Sequence, residues 1–483
     1  MRLSQVAFWA ASSLAYGVLS VAAEADSVRN YADNGVVLDN ELTAQEILAA
    51  MPEESFVEIH EVTVTVENIP DKPSPRHEQE KKNLLKRLSK SHGKWDTNHP
   101  RHRLLEALFG FSRYKARQMA ELDRWKGLYK HVSKAQKAVL EKAVGYSKKF
   151  EMAEELLNVN QALCDEIVET ALEFYGISRK ELDDHAKAKD NAGQPADRVS
   201  TSQALKHFVR DWSTAGRGER DDAFPCILGT LNTLFPDRSE RGDIKVLLPG
   251  AGAGRLGHEI SALGGFEVTS NEWSMFMNLA YRFLESHTRP ASQAFHPFVE
   301  GWSHHATAAD MFRQVSFPDR RVNASAVLLV EGDFASAFKS YSGQYDVVVT
   351  HFFLDTARNV MSYFDTINSV LKPGGYWVNF GPLMWGTGPF VQLSLDEVIA
   401  VTKNMGFEFL DIGQECGEVT FGEEKVRSQE AVYGFNERAL TKNAYSAQSW
   451  LVRKSRGGGG GVWTNDEILL RYWKCKSAVF NFT

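Results

Sequence analysis

The sequence predicts an α/β protein: a mostly parallel, Rossmann-like sheet sandwiched by helices, ending in an antiparallel hairpin and preceded by an all-helical region. Three observations carry this. Residues 104 to about 236 hold apolar side chains at helical spacing almost throughout. From Ile244 onward, short apolar runs alternate with amphipathic stretches and glycine turns. The run 244–273, IKVLLPGAGAGRLGHEISALGGFEVTSNEW, reads as strand, glycine turn, helix, strand and acid.

Taken in order, the chain starts with an uncharged run from Leu3 to Ala23, with small residues at Ala22, Ala23 and Ala25. This has the form of a secretory signal or anchor, and Asn323-Ala-Ser and Asn481-Phe-Thr are formal glycosylation sequons. The other reading is an extra leader on an intracellular enzyme. The chemistry below favours it, with a location in the cytoplasm and also the nucleus. Residues 24–75 are polar and end in Pro70, Pro73 and Pro75, so 1–75 is expected to be leader and linker. Basic residues crowd 76–103, but Glu78, Glu80, Leu84, Leu85 and Leu88 interleave at helical spacing. That pattern makes a solvated helix face, not a nucleic-acid arm. The net charge of −7 likewise excludes nucleic acid as an expected partner, and a membrane is expected only through the leader. Cys164, Cys226, Cys416 and Cys475 are scattered, with no pair at metal-ligand spacing. They predict a reduced, intracellular protein with no metal site.

The helical region, 76–240, carries apolar stripes at Leu104, Leu105 and Leu108, at Leu122, Trp125 and Leu128, and from Phe150 through Ala171. Ser178-Arg-Lys-Glu181 has the capping-box form. A polar linker from Lys187 to Val199 follows, after which Ser200–Ser202 are expected to cap ALKHFVRDW. There Leu205, Phe208 and Trp212 face one way, while His207 and Arg210 share a face that solvent or a ligand can occupy.

In the second half, Ile244–Leu248 is β-branched and apolar, as a strand buried on both faces should be. Leu256, Ile260 and Leu263 then recur at helical spacing, and Phe266–Thr269 is the next strand. A helix is expected over Ser274–Ser286, then an irregular insertion, 287–325, with Pro290, Pro297 and Pro318. Further strands are expected at Ala326–Val330, Tyr345–Thr350, Tyr376–Phe380, Phe407–Ile412 and Ser446–Val452, with helices from about Arg358 to Leu371 and over Ser394–Met405. The last two strands have no helix between them, which predicts the antiparallel hairpin at one edge. The sheet domain is thus placed at 241–455, and a glycine linker, Gly457–Gly461, opens an unassigned tail, 456–483.

Ligands of open parallel sheets bind at the carboxyl ends of the strands, near the switch in strand order. Those ends collect Gly250–Gly254, Glu272, Asp333-Phe334, His351–Asp355 and Gly381-Pro-Leu. The turn has G-x-G-x-G spacing, whereas a pyrophosphate-binding turn wants G-x-G-x-x-G. A cofactor with ribose and adenine but no phosphates, S-adenosylmethionine, fits better. Its backbone approach would be at Gly250 and Gly252. Glu272, 22 residues after Gly250, can accept both ribose hydroxyls. Asp333 can take the adenine amino group and Phe334 can cover the ring.

LLPGAGAGRLGHEIS, SNEWSMFM, EGDF, HFFLDTARNVMSYFDTI, LKPGGYWVNFGPLMW and, upstream, LKHFVRDWS together resemble the carnosine N-methyltransferase family, in order, over about residues 80–455. The resemblance implies a class I methyltransferase fold and an S-adenosylmethionine-dependent N-methyltransferase. Its substrate would be the imidazole of carnosine or a similar histidine-containing dipeptide; a homodimer is also expected. It places Gly250, Glu272, Asp333 and Phe334 on the cofactor, and matches Arg210 to an arginine reaching the methionine part. His207 stands where the family has a glutamine, and His351 where it has a cysteine. Asp355, in the FF-x-DT motif, matches the carboxylate that would fix the imidazole tautomer and stabilise the imidazolium. It can also simply cap the helix after it. Tyr445 matches one substrate tyrosine, while Asn443 and Gly386 replace a second tyrosine and a histidine. Trp385 and Trp450 either wall the pocket or pack the core.

Overall fold

The computed structural model describes residues 74–386 and 388–456; nearly all of the expected leader, 1–75, and of the glycine-rich tail lie outside this range, and Ser74 and Pro75 open the first helix instead of ending a linker. Among the described residues, eight helices of eleven or more residues come first: α1 (Pro75–Arg87), α2 (Pro100–Ser112), α3 (Tyr114–Tyr129), α4 (Lys134–Val144), α5 (Tyr146–Tyr175), α6 (Arg179–Asn191), α7 (Arg198–Trp212) and α8 (Arg217–Leu234). The 30-residue α5 is the spine, because Phe150, Ala153, Leu157, Leu163, Ile167 and Ala171 form one buried stripe against α2 and α3. Ser178 caps α6 through the Glu181 amide, but Glu181 turns its own carboxylate to Arg101 instead of completing the box. The cap of α7 is Asp197, which accepts from Ser200 N at 2.9 Å. Ser200–Ser202 therefore lie inside the helix, a correction to the expected start: an aspartate upstream was available, and its charge suits a helix N-terminus.

The sheet domain runs β1 (Ile244–Pro249), α9 (Arg255–Ala262), β2 (Phe266–Glu272), α10 (Met275–Ser286), β3 (Gln293–Phe295), β4 (Val315–Phe317), β5 (Val327–Glu331), β6 (Tyr345–His351), α11 (Val360–Val370), β7 (Leu371–Gly381), α12 (Leu395–Asn404), β8 (Phe407–Leu410), β9 (Glu418–Phe421), β10 (Val426–Val432) and β11 (Ala444–Lys454). Among the described residues the main sheet has the order β5-β2-β1-β6-β7-β11-β10-β9, with β8 also on β11. The first five strands are parallel and β11 runs antiparallel to β7. This is the class I methyltransferase α/β fold. The order switches at β1, which lies between β2 and β6, so the crevice forms at their carboxyl ends.

The antiparallel pairing of β8 with β11 is present, Leu451 opposite Leu410, but β11 is not an edge. It is long enough to pair β7 along one side and β8 and β10 in succession along the other. The edge is β9, whose four side chains are all exposed and so carry no apolar alternation. The insertion 287–325 is also less irregular than expected, since β3 and β4 pair within it. Cys226 of α8 and Cys416 form a buried disulfide across 190 residues. That corrects the expectation of unpaired cysteines, and no local spacing could have announced it. Among the described residues, no helix is long and apolar enough to cross a membrane.

Helices and sheet are locked by a buried charge. Glu331, with its side chain 0% exposed, accepts from Tyr175 of α5 at 2.9 Å and from Arg282 of α10 at 2.9 Å. Removing one partner of such a cluster strands the other in a medium that solvates it poorly. Glu331→Ala should therefore cost about 3–5 kcal/mol, read as a lower denaturant midpoint. Arg282 also pairs with Glu285 at 2.7 Å, so coupling is read from a cycle: Glu331→Met with Arg282→Met should cost clearly less than the sum of the two single changes, and additive losses would mean that the charges are not coupled.

Candidate functional site

The crevice is built around the turn after β1. Gly250 (φ +66°) and Gly252 (φ +56°) are left-handed, and both are packed on one side. A Cβ on Gly250 would lie 2.3 Å from Phe353, and one on Gly252 2.9 Å from His207. Only glycine gives this turn both the φ and the clearance. Glu272, at the end of β2, accepts from Gly252 N at 3.0 Å and from Ser274 N at 2.7 Å, one amide per oxygen. Each oxygen keeps a lone pair for a ribose hydroxyl. Burial pushes the Glu272 carboxyl above its ordinary range, opposed by those amides.

Beside it, Arg103 of α2 stacks 3.8 Å over the Trp273 ring and donates to the Trp273 carbonyl. Arg103 came from the stretch expected to be a solvated face; its partner, a residue 170 positions away, gave no sign of it. Asp333 caps the short helix Phe334–Ala337 through Ser336 N at 2.9 Å, leaving its other oxygen for an adenine amino group. Phe334 is buried, edge-on to Phe353 and Tyr363. Its ring forms the floor of this end of the crevice and is not a free cover.

From the other side, α7 presents His207, Arg210 and Asp211. This face is not solvated. His207 Nδ1 bonds Asp211 at 2.9 Å, which fixes the ring against the glycine turn. Arg210 is buried, donates from Nε to Glu219 at 2.8 Å, and lies 3.7 Å over the ring of Tyr433. Despite its burial, Asp211 is held below the ordinary carboxylate range by His207 and Arg210. His351 ends β6 next to these groups; burial pushes its imidazole down to about 4, and its Nε2 has no hydrogen-bond partner. It is a neutral ring at pH 7. Asp211, Glu219 and Tyr433 were missed by the sequence reading. Asp211 adjoins Arg210 in VRDW and was findable; Tyr433 follows a strand that was not recognised.

Asp355 lies in a 3₁₀ turn, Leu354–Thr356. It does not cap α11, which begins at Val360 behind Asn359. Instead its Oδ2 accepts from Met384 N at 3.1 Å, leaving Oδ1 for a ligand. Burial raises its carboxyl to about 6. Just before it, Phe352 holds a left-handed backbone (φ +49°), a conformation that costs a bulky residue energy and clusters at functional sites. Its ring stacks on Tyr433 at 4.8 Å and meets Tyr445 edge-on at 6.0 Å. Gly386 and Asn443 are exposed; Asn443 instead lines a cavity of about 420 Å³ behind α7, with Arg198, Lys206 and Glu300. Trp450 is fully buried against Trp377 and belongs to the core, whereas Trp385 donates to the Leu393 carbonyl at 2.8 Å.

Glycines without side chains, an acid with free lone pairs and a neighbouring acid at the next strand end fit a cofactor of adenosine attached to a cationic tail. A family model described as carnosine N-methyltransferase matches residues 188–456. The chain is similar to the carnosine N-methyltransferase of Schizosaccharomyces pombe, 33% identical over 275 residues, which covers 52% of this chain and 70% of that protein. The Rattus norvegicus protein of the same name is 31% identical over 306 residues, 61% of this chain and 72% of the relative.

Gly252→Ala would force a side chain into a left-handed residue, at about 1–2 kcal/mol, and push His207 off Asp211. Calorimetry should show S-adenosylmethionine affinity at least about tenfold lower, with the melting temperature little changed. Unchanged affinity would separate this turn from the cofactor.

Proposed function

The chain belongs to the carnosine N-methyltransferase family, and from that premise we propose that it methylates an imidazole nitrogen of carnosine, giving anserine, or of a similar histidine-containing dipeptide. The observation that carries the reading is Asp355: a half-buried carboxylate at the end of β6, with one oxygen committed to Met384 N and one free. S-adenosylmethionine, when bound, supplies a methyl group on a sulfonium, open to in-line displacement.

The rest falls to the chain's own residues. Glu272 and Asp333 hold the adenosine end, and the glycine turn lets the backbone lie against it. His207 and Arg210 close the methionine end, oriented by Asp211 and Glu219. Asp355 accepts the acceptor's distal N–H, which selects the tautomer with its lone pair on the nitrogen to be methylated. As that nitrogen forms its new bond the ring becomes cationic, and the carboxylate stabilises the charge and can take the proton. Phe352, Tyr433 and Tyr445 supply aromatic faces beside the ring. Little further acid–base help is required, because an imidazole with an ordinary pKa near 6.5 is largely neutral at pH 7. Positioning then dominates the rate.

Purified protein incubated with labelled S-adenosylmethionine and, in parallel, carnosine, histidine-containing peptides and other heterocycles should label an imidazole nitrogen, located by mass spectrometry. Label on a different heterocycle would remove the substrate assignment alone. No transfer to any acceptor would remove the reading as a whole.

Two protonations should lower kcat/KM as the pH falls: that of Asp355, at about 6, and that of the free imidazole, near 6.5. Each removes a required lone pair, so log kcat/KM should approach a slope of two on the acid side. Asp355→Asn should cut kcat on the order of 100-fold or more, leave cofactor affinity within about twofold, and reduce that slope to one. A full-rate Asp355→Asn enzyme would reduce Asp355 to a brace for the turn at Met384.

A further inference from the structure

Behind the wall that carries Arg103, helices α2 and α6 bring together three side chains that neither the proposed reaction nor the apolar core uses. His102 and Glu106 lie one turn apart on α2, and His185 comes from α6. Their ligand atoms all lie within 4.8 Å of one another. Glu106 Oε1 is 3.2 Å from His185 Nε2 and 3.8 Å from His102 Nε2. Two ligands at about 2.0–2.1 Å from a tetrahedral ion stand about 3.3 Å apart, so the cluster is close to the spacing of a filled site.

The surroundings fit as well. The side chains of His102, His185 and Glu106 are 18%, 10% and 33% exposed. Glu106 Oε1 and His185 Nε2 are buried without a properly directed hydrogen bond, and so is the second nitrogen of His102. The two imidazoles meet edge to face at 5.3 Å, flanked by Trp95 and Phe109. Lys189, one turn beyond His185, rests its ammonium on the same Glu106 oxygen. The point where the three ligands converge is thus already held by a cation, on a flexible stem that can withdraw to solvent.

We propose that His102, Glu106 and His185 form a binding site for a divalent transition-metal ion, zinc by ligand type, which displaces the Lys189 ammonium. Two imidazoles and one carboxylate are borderline ligands that suit zinc, with a fourth position left for water. Exchange of one cation for another keeps Glu106 neutralised throughout. Glu181 already ties α6 to Arg101 of α2, and a metal at Glu106 would replace the Lys189 ion pair between the same helices with a link through His185. It braces the helix that presses Arg103 onto Trp273, next to Glu272. In sequence His185 stands 79 residues after Glu106, so no spacing motif displays the site.

The test uses tag-free protein, stripped with a chelator and titrated in metal-free buffer with Zn²⁺ and, separately, Co²⁺. One equivalent should bind, with visible d–d absorption from Co²⁺ that Zn²⁺ abolishes, and Zn²⁺ should raise the melting temperature. His185→Asn and Glu106→Gln should each weaken Zn²⁺ binding at least about 100-fold, since even an outer partner of a ligand is worth 10–100-fold. Their near-ultraviolet circular dichroism should match the parent's, which separates a lost ligand from a lost fold. Lys189→Met should bind Zn²⁺ more tightly than the parent. No stoichiometric uptake by the parent overturns the proposal, and so does equal uptake by folded His185→Asn.

Discussion

The indole N–H of Trp212, donated to the Ala253 carbonyl at 2.8 Å, fastens a helix from one half of the chain to the glycine turn of the other. The crevice depends on it. Without this seam α7 would be one amphipathic helix among several, and His207 would have no fixed relation to the turn it touches. Charge reinforces it. Arg255, the first residue of α9, reaches back to the Asp211 carbonyl at 2.9 Å and shares Asp319 with Arg220. Charge-assisted hydrogen bonds of this kind are worth about 1.5–3 kcal/mol each, and here they converge within a few residues of the site.

A second seam closes the opposite rim. Glu219, at the start of α8, accepts from Arg210 and from the amides of Gly434 and Phe435. The same carboxylate therefore sets the guanidinium and the turn that follows Tyr433. Farther along α8, Cys226 is bonded to Cys416, ahead of β9. Helical region, turn and terminal strands are held as one frame, and strain such as that at Phe352 can persist because its neighbours over-determine it.

How much of this the sequence displayed follows from the range of each interaction. The unit from Ile244 to Glu272 was legible because its causes are local: a buried strand needs a continuous apolar run, and a left-handed turn needs glycine. Asp355, Tyr445 and Arg210 were named through a motif resemblance, but their surroundings were not. Asp355 was as readable as a helix cap, and only the later start of α11 removes that reading. Arg210 was as readable as a solvated residue, and only Glu219 and Tyr433 show it buried. β9 and β10 went unseen because β9 buries no side chain and β10 chiefly Val426 and Ala431. The disulfide, the Arg103 contact and the His102–Glu106–His185 cluster all join residues far apart in the chain, where periodicity says nothing.

The charge balance of the crevice decides between the cofactors that a glycine turn can serve. Asp211, Glu272, Asp333 and Asp355 all line its strand and helix ends, while the Arg210 guanidinium is engaged by Glu219 and that of Arg103, beside Glu272, is stacked over Trp273. A dinucleotide would bring a pyrophosphate into this ring of acids, and like charges at short range disfavour one another strongly in a partly dry site. A sulfonium brings the opposite sign. His351 stays neutral because burial holds its pKa near 4, so it adds no repulsion to an incoming cation. In the proposed reaction the positive charge would end on the acceptor ring, and Asp355 would be the carboxylate beside it. On that reading the acids would serve one positive charge at both ends of its transfer, which joins an acidic crevice and a turn with the wrong spacing for phosphates in one design.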